Sequence, residues 1–213
     1  MSQTVTFAEL GPVEFRPAIN RFIAVYRAAM NPPDRMLAGR EAILERHAAN
    51  PGFRALTAVL THGGGDPREP AANGGVLAGF TYGFHGAPGQ WWHDVVAGAL
   101  AVSSAPDADG WLTDSFEVAE LHVLPAYQGS GIGRELLLRL TSGRPERTAV
   151  LSTADMESRA RRLYRRVGFT DLLTAFRFSG GDPPYAVMGA RLPLRAAGVA
   201  APDSARSPRP SSW

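Results

Sequence analysis

Residues 116–140 constrain this fold more than any other stretch. Phe116 to Val123 (FEVAELHV) reads as a strand of mixed apolar and polar residues, and Leu124-Pro125-Ala126-Tyr127 breaks it. Gln128-Gly129-Ser130-Gly131-Ile132-Gly133 follows. Ile132, Leu136, Leu137 and Leu140 then recur at helical spacing, so the loop opens directly into a helix. Such a junction leaves backbone N–H groups free at a helix N-terminus, where the helix dipole favours an anion. The three alternate glycines let the main chain approach a ligand closely. A phosphate or diphosphate is the expected guest; a plain turn that starts a helix is the structural alternative.

The known phosphate loops differ from this one. A P-loop needs lysine, and all 22 basic residues here are arginine. A dinucleotide fingerprint wants a further glycine where Arg134 stands, at the first turn of a βαβ unit. This disfavours a dinucleotide-dependent oxidoreductase. A serine-hydrolase elbow wants glycine in place of Gln128.

Around this core the pattern predicts strands at 5–10, 53–62, 76–85, 148–153, 172–178 and 185–192. Helices are predicted from Pro17 to Met30, from Asp34 to about Ala49, and from Met156 to Val167. A short amphipathic helix is expected around Trp91 to Leu100. Ile19, Phe22, Ile23, Tyr26 and Met30 form the apolar stripe of the first helix, and Ala160, Leu163, Tyr164 and Val167 that of the last. The order predicts an α/β domain, more closely an α+β one: a six- to seven-stranded, largely antiparallel mixed sheet flanked by about four helices. It spans residues 1–194, with an Ala/Ser/Pro/Arg-rich tail at 195–213.

Composition narrows the chemistry. With 213 residues, 45% of them hydrophobic, the chain has the makings of one globular core. No cysteine is present, which excludes disulfides, thiolate metal sites and a cysteine nucleophile. His47, His62, His85 and His93 show no ligand spacing, so no metal is expected. The net charge is only +2, and the sequence pI of about 9.4 reflects arginine without lysine. No basic stripe with interleaved aromatics predicts nucleic-acid binding. No apolar run approaches the roughly 20 residues of a membrane span, and no leader-like start is visible. A cytoplasmic protein is the expectation.

The stretch from Glu120 to Gly133 resembles motif A of the GNAT superfamily of N-acetyltransferases, and Ala160-Arg161-Arg162-Leu163-Tyr164-Arg165-Arg166-Val167-Gly168-Phe169 resembles its motif B. The resemblance implies acetyl-CoA as co-substrate. Leu121, His122 and Val123 would offer backbone groups to the pantetheine arm and thioester carbonyl, with the Val123 N–H as oxyanion donor. Gln128, Gly129, Ser130, Gly131, Ile132 and Gly133, followed by Arg134, would hold the diphosphate. Tyr164 matches the family tyrosine near the sulfur and is the candidate general acid. Glu117 and Glu120 are the candidate bases; an ideal strand puts them on opposite faces unless a bulge intervenes. His122 has the parity to relay a proton to Glu120. Glu157 stands where many members carry a cofactor-contacting Asn, with Ser152 or Ser158 as substitutes. Arg159, Arg161, Arg162, Arg165 and Arg166 on the outer face of the last helix read as a solvated face, or as attraction for a 3′-phosphate. Trp91, Trp92 and His93 read as a roof over the acceptor or as packing. The implied partner is a small-molecule amine or a peptide or protein amine, and a homodimer is an open alternative. The implied activity is N-acetyl transfer by direct attack in a ternary complex; the alternative is a non-catalytic sensor or scaffold that holds coenzyme A or an acyl-CoA.

Overall fold

The structure is a computed structural model that describes residues 4–61, 75–103, 110–178 and 183–194. The connection between the strands expected at 53–62 and 76–85, and the tail from residue 195, lie outside the described residues. In chain order the elements are β1 (Thr4–Leu10), α1 (Pro12–Met30), α2 (Arg40–His47), β2 (Arg54–Thr61), β3 (Val76–Gly86), α3 (Trp91–Ala101), β4 (Ser115–Val123), α4 (Ile132–Thr141), β5 (Thr148–Ala154), α5 (Arg159–Arg166), β6 (Thr170–Phe176) and β7 (Tyr185–Arg191).

The strands form one seven-stranded sheet in the order β1-β2-β3-β4-β5-β7-β6. All neighbours are antiparallel except β4 and β5, which are parallel. That parallel pairing is short: Ser115, Phe116 and Glu117 face Thr148, Ala149 and Val150, and nothing beyond. From Val118 onward β4 keeps only β3, while β5 from Leu151 keeps only β7. The sheet therefore opens into a fork with Glu117 and Val150 at its apex. Each arm has an inner edge whose backbone groups lack a ladder partner, and such groups seek one.

Helices cover both faces. On one, α4 and α5 bury Leu136, Leu137, Leu140, Tyr164 and Val167 against Phe116, Val118, Leu151 and Met188. On the other, α1 and α2 bury Phe15, Ile19, Phe22 and Leu44 against Phe80, Tyr82 and Phe84. Helix α3 lies on that second face too, but beyond the fork, with Val96 and Leu100 against Val150 and Val187. The fork thus lies between α1/α2 on one side and α3 on the other.

Several expected boundaries move. Helix α1 begins at Pro12, where a missing N–H is harmless, with the Gly11 N–H bonded to the Glu14 carboxylate at 3.1 Å; Pro17 sits inside it. Met30, read as part of its buried stripe, is 57% exposed. The second helix is split. A single 3₁₀ turn covers Asp34–Met36, and α2 waits until Arg40 because Gly39 adopts a left-handed φ of 75°. On α5, Ala160 is exposed rather than inward. Arg161 is buried instead of lying on the outer face, because Asp155 and Asp171 meet its guanidinium.

Candidate active site

The loop between β4 and α4 forms a cradle of backbone N–H groups of the kind suited to an anion. Gly129 and Gly131 take left-handed φ values of 85° and 91°, and a Cβ on either would meet open space. Gly131 is the N-cap of α4 and supplies no side-chain cap. The first satisfied helical amide is Glu135, bonded to the Gly131 carbonyl at 3.1 Å. The amides of Gly129, Ser130, Gly131, Ile132, Gly133 and Arg134 have no acceptor among the described residues. The Ser130 hydroxyl is used locally, donating to the Tyr127 carbonyl at 2.6 Å. Unsatisfied donors at a helix N-terminus are a ready anion site.

The inner arm of β4 leads to that cradle. Leu124 donates its N–H to the Ala78 carbonyl of the β3 side at 2.8 Å. Backbone groups alternate along an antiparallel strand. Val123 and Leu121 therefore turn their N–H and C=O to the open edge of the fork. The Val123 carbonyl there accepts from the Gln128 side-chain Nε2 at 3.0 Å, which anchors the loop to the strand. His122 points its own N–H and C=O at β3, so it reaches the site with its imidazole and not with its backbone. Gly133, Val123 and Leu163 of α5 meet at ordinary contact distances, 3.7 Å or less from a Cβ on Gly133. Strand end, loop and α5 therefore converge.

The two glutamates lie on the same face, contrary to the ideal-strand expectation. The β3–β4 register shifts between Tyr82 and Gly83: Tyr82 pairs with Glu120 but Gly83 with Val118. The extra residue, Ala119, makes a bulge that resets the alternation. Glu117 opposite Phe84 and Glu120 opposite Tyr82 then both turn toward α1 and α2. Gly83 is what permits this pairing, since a Cβ there would lie 2.3 Å from the Glu117 carbonyl oxygen.

The two carboxyls have opposite environments. Glu117 is 5% exposed, and its Oε2 has no hydrogen-bond partner among the described residues. Burial pushes its pKa up to about 8. Glu120 is also buried, which alone would raise it, but His122 and Arg40 outweigh burial and hold it below the usual carboxylate range. Arg40 pairs with Glu120 Oε1 and stacks 3.3 Å above the Tyr26 ring. The Tyr82 hydroxyl donates to Glu120 Oε1 at 3.2 Å, and His122 Nε2 lies 3.2 Å from Oε2. His47 Nδ1 lies 3.1 Å from the Tyr82 hydroxyl. Sequence reading missed Tyr26, Arg40, His47 and Tyr82 as a group, because helix packing and strand register assemble them and no local spacing reports that.

Tyr164 is buried on the α4/α5 face, its ring 5.7 Å from Phe169, and burial raises its pKa to about 12. It stays a neutral phenol at ordinary pH. Glu157 is exposed and accepts from Arg165 at 2.6 Å. Ser158 caps α5, accepting from the Arg161 N–H at 3.1 Å, so its oxygen is engaged. Ser152 accepts from the Trp92 indole N–H at 3.2 Å. Arg161 and Arg165 are tied into ion pairs, whereas Arg159, Arg162 and Arg166, also read as a 3′-phosphate field, make none among the described residues. Among the described residues no group of His, Asp or Glu could hold a metal ion, and no helix is long and apolar enough to cross a membrane. A cavity of about 290 Å³ near Trp111, Gly168 and Arg191 opens at the other end of the sheet, away from the fork.

A forked parallel pair followed by an amide cradle is the arrangement expected of an acyl-CoA-dependent transferase. Residues 88–171 match the family model described as "Acetyltransferase (GNAT) domain". The chain is 34% identical over 200 residues to the GCN5-like protein acetyltransferase Rv2170 of Mycobacterium tuberculosis, covering 87% of this chain and 97% of that one. It belongs to the GNAT acetyltransferase family. Solved structures share the fold. Arabidopsis thaliana NAA60 in complex with a bisubstrate analogue has a TM-score of 0.57 at 17% identity, covering 89% of this chain and 99% of that one. The putative acetyltransferase yncA of Salmonella typhimurium, solved with acetyl-CoA, has 0.51 at 21%, covering 96% and 100%.

Proposed function

We propose that this protein is an N-acetyltransferase that moves an acetyl group from acetyl-CoA to a primary amine of a protein, by direct attack in a ternary complex. One observation carries the reading: six consecutive amides without acceptors among the described residues, Gly129 to Arg134, stand at the mouth of a fork whose apex holds a glutamate with no partner for its Oε2 among them. The relative from Mycobacterium tuberculosis, named a protein acetyltransferase, supports a protein acceptor.

The amides of Gly129 to Arg134 hold the diphosphate. The open edge of β4 at Leu121 and Val123 pairs with the pantetheine arm and leads the thioester into the fork. A lysine-type ammonium has a pKa of about 10.4 and must lose a proton before it can attack. Glu117 takes that proton; burial has raised its basicity, and no partner competes for its Oε2. The amine lone pair then attacks the carbonyl carbon and a C–N bond forms. The Val123 N–H receives the developing oxyanion. Collapse breaks the C–S bond, Tyr164 gives its phenolic proton to the departing thiolate, and the extra proton left on the acetylated nitrogen restores the phenol. Glu120 is committed to Arg40 and His122, so it is a positioning residue that keeps α2 docked beside the fork.

Mixing the protein with acetyl-CoA and a lysine-containing peptide should release free thiol in step with acetylated peptide. Binding of acetyl-CoA with no thiol release across a broad amine panel would sink the reading in favour of a binding protein. Tyr164→Phe should lower kcat by about 10²-fold or more while acetyl-CoA affinity holds. Steady-state rates beside direct titration check this, and unchanged turnover removes Tyr164 from its role.

A further inference from the structure

We infer that Trp92 is a specificity-determining residue, forming the wall against which the alkyl stem of the acceptor amine lies. The inference rests on the function proposed above and names what its acceptor side selects. Helix α3 comes from the long connection between β3 and β4, and its Trp92 packs at the edge of the cluster formed with Val150 and Val187. The indole is only partly buried, and its N–H is fixed by the Ser152 Oγ at 3.2 Å.

Ser152 stands on the peeled arm of β5. Glu117 and Val150 are register partners and share a face. Ser152, two residues on, shares that face again, about 7 Å further along the arm. The fork is thereby walled on this side by Trp92 and Ser152, and across the gap by Glu120 and Arg40. No hydrogen bond or ion pair among the described residues bridges the two walls. Glu117 lies at the apex and is almost wholly buried. An amine must reach it at the end of a slender stem, because an α-branched amine would bring bulk to the apex. Methylenes gain by lying on apolar surface while the charged head stays polar, which is what an indole offers a lysine-like stem.

The test compares acceptors that differ only in stem length: the N-acyl amides of diaminopropionic acid, ornithine and lysine. Thiol release is measured on the full chain for wild type, Trp92→Ala and Trp92→Phe. In wild type, kcat/KM rises with stem length by up to about fourfold per methylene. In Trp92→Ala that dependence flattens, the lysine derivative loses most, and the acetyl-CoA KM is unchanged. Trp92→Phe keeps a ring without the N–H and retains part of the slope, which keeps the test decisive if the alanine variant folds poorly. Equal losses on all three amines, or a slope unchanged in both variants, overturn the assignment of Trp92. Absence of turnover with any amine in wild type, despite acetyl-CoA binding, overturns the function reading and this inference with it.

Discussion

Glu117→Gln should lower kcat by between about 10² and 10⁴-fold while the acetyl-CoA KM stays near that of wild type. Gln keeps the shape of the side chain and removes its ability to take a proton. In wild type the basic form appears as pH rises through about 8, so kcat/KM climbs with pH below that point and levels above it. The variant should lose this inflection, leaving only the ionisation of the acceptor amine. Stability moves the other way. The carboxyl has an ordinary value of 4.5 but is pushed up to about 8 in the fold, so between these values the folded chain binds a proton that the unfolded chain releases. That stabilisation is complete below 4.5 and lost as pH rises through 8. Above pH 8 wild type carries an unpaired buried charge, which costs on the order of a few kcal/mol. Glu117→Gln should therefore melt higher than wild type at pH 9 and about equally at pH 4. A variant that keeps its activity removes Glu117 as the base; one that loses activity and melts lower at every pH points to structural damage.

Gly131→Val should raise the acetyl-CoA KM by about 100-fold. Gly131 has a φ of 91°, which a β-branched residue adopts only under strain, and the space beside it is open. The branched side chain fills that space and twists the amides of Ser130 to Gly133 away from their common aim. Losing two charge-assisted hydrogen bonds at about 1.5 kcal/mol each amounts to about that factor. Turnover at saturating acetyl-CoA should be less affected, since the fork, Glu117 and Tyr164 lie outside the loop. Initial rates across acetyl-CoA concentrations check this; an unchanged KM would show that these amides do not hold the co-substrate.

The legible parts of this molecule are those in which neighbours in sequence are neighbours in space. The glycine cradle, its helix with Leu136, Leu137 and Leu140 buried, and the cap at Gly168 (φ 106°) are local, and spacing alone finds them. The shared face of Glu117 and Glu120 was not legible. It depends on one extra residue in β4 and on room at Gly83, a matter of register between strands. The choice between the two carboxyls depends on Arg40, which arrives from α2 some 80 positions away in sequence. Arg161 looked like part of a solvated stripe, because nothing in helical periodicity announces that Asp155 and Asp171 will meet it inside. In the last two cases a charged partner from outside the element decides what local spacing leaves open.

The seat of the diphosphate can be tested by following the backbone amides of isotopically labelled protein as acetyl-CoA is added. Gly129 through Arg134, with Leu121 and Val123 on the open edge of β4, should show the largest shifts, and NAD at equal concentration should leave them in place. Saturable acetyl-CoA binding that moves another set of amides and leaves Gly129 to Arg134 unshifted would contradict it.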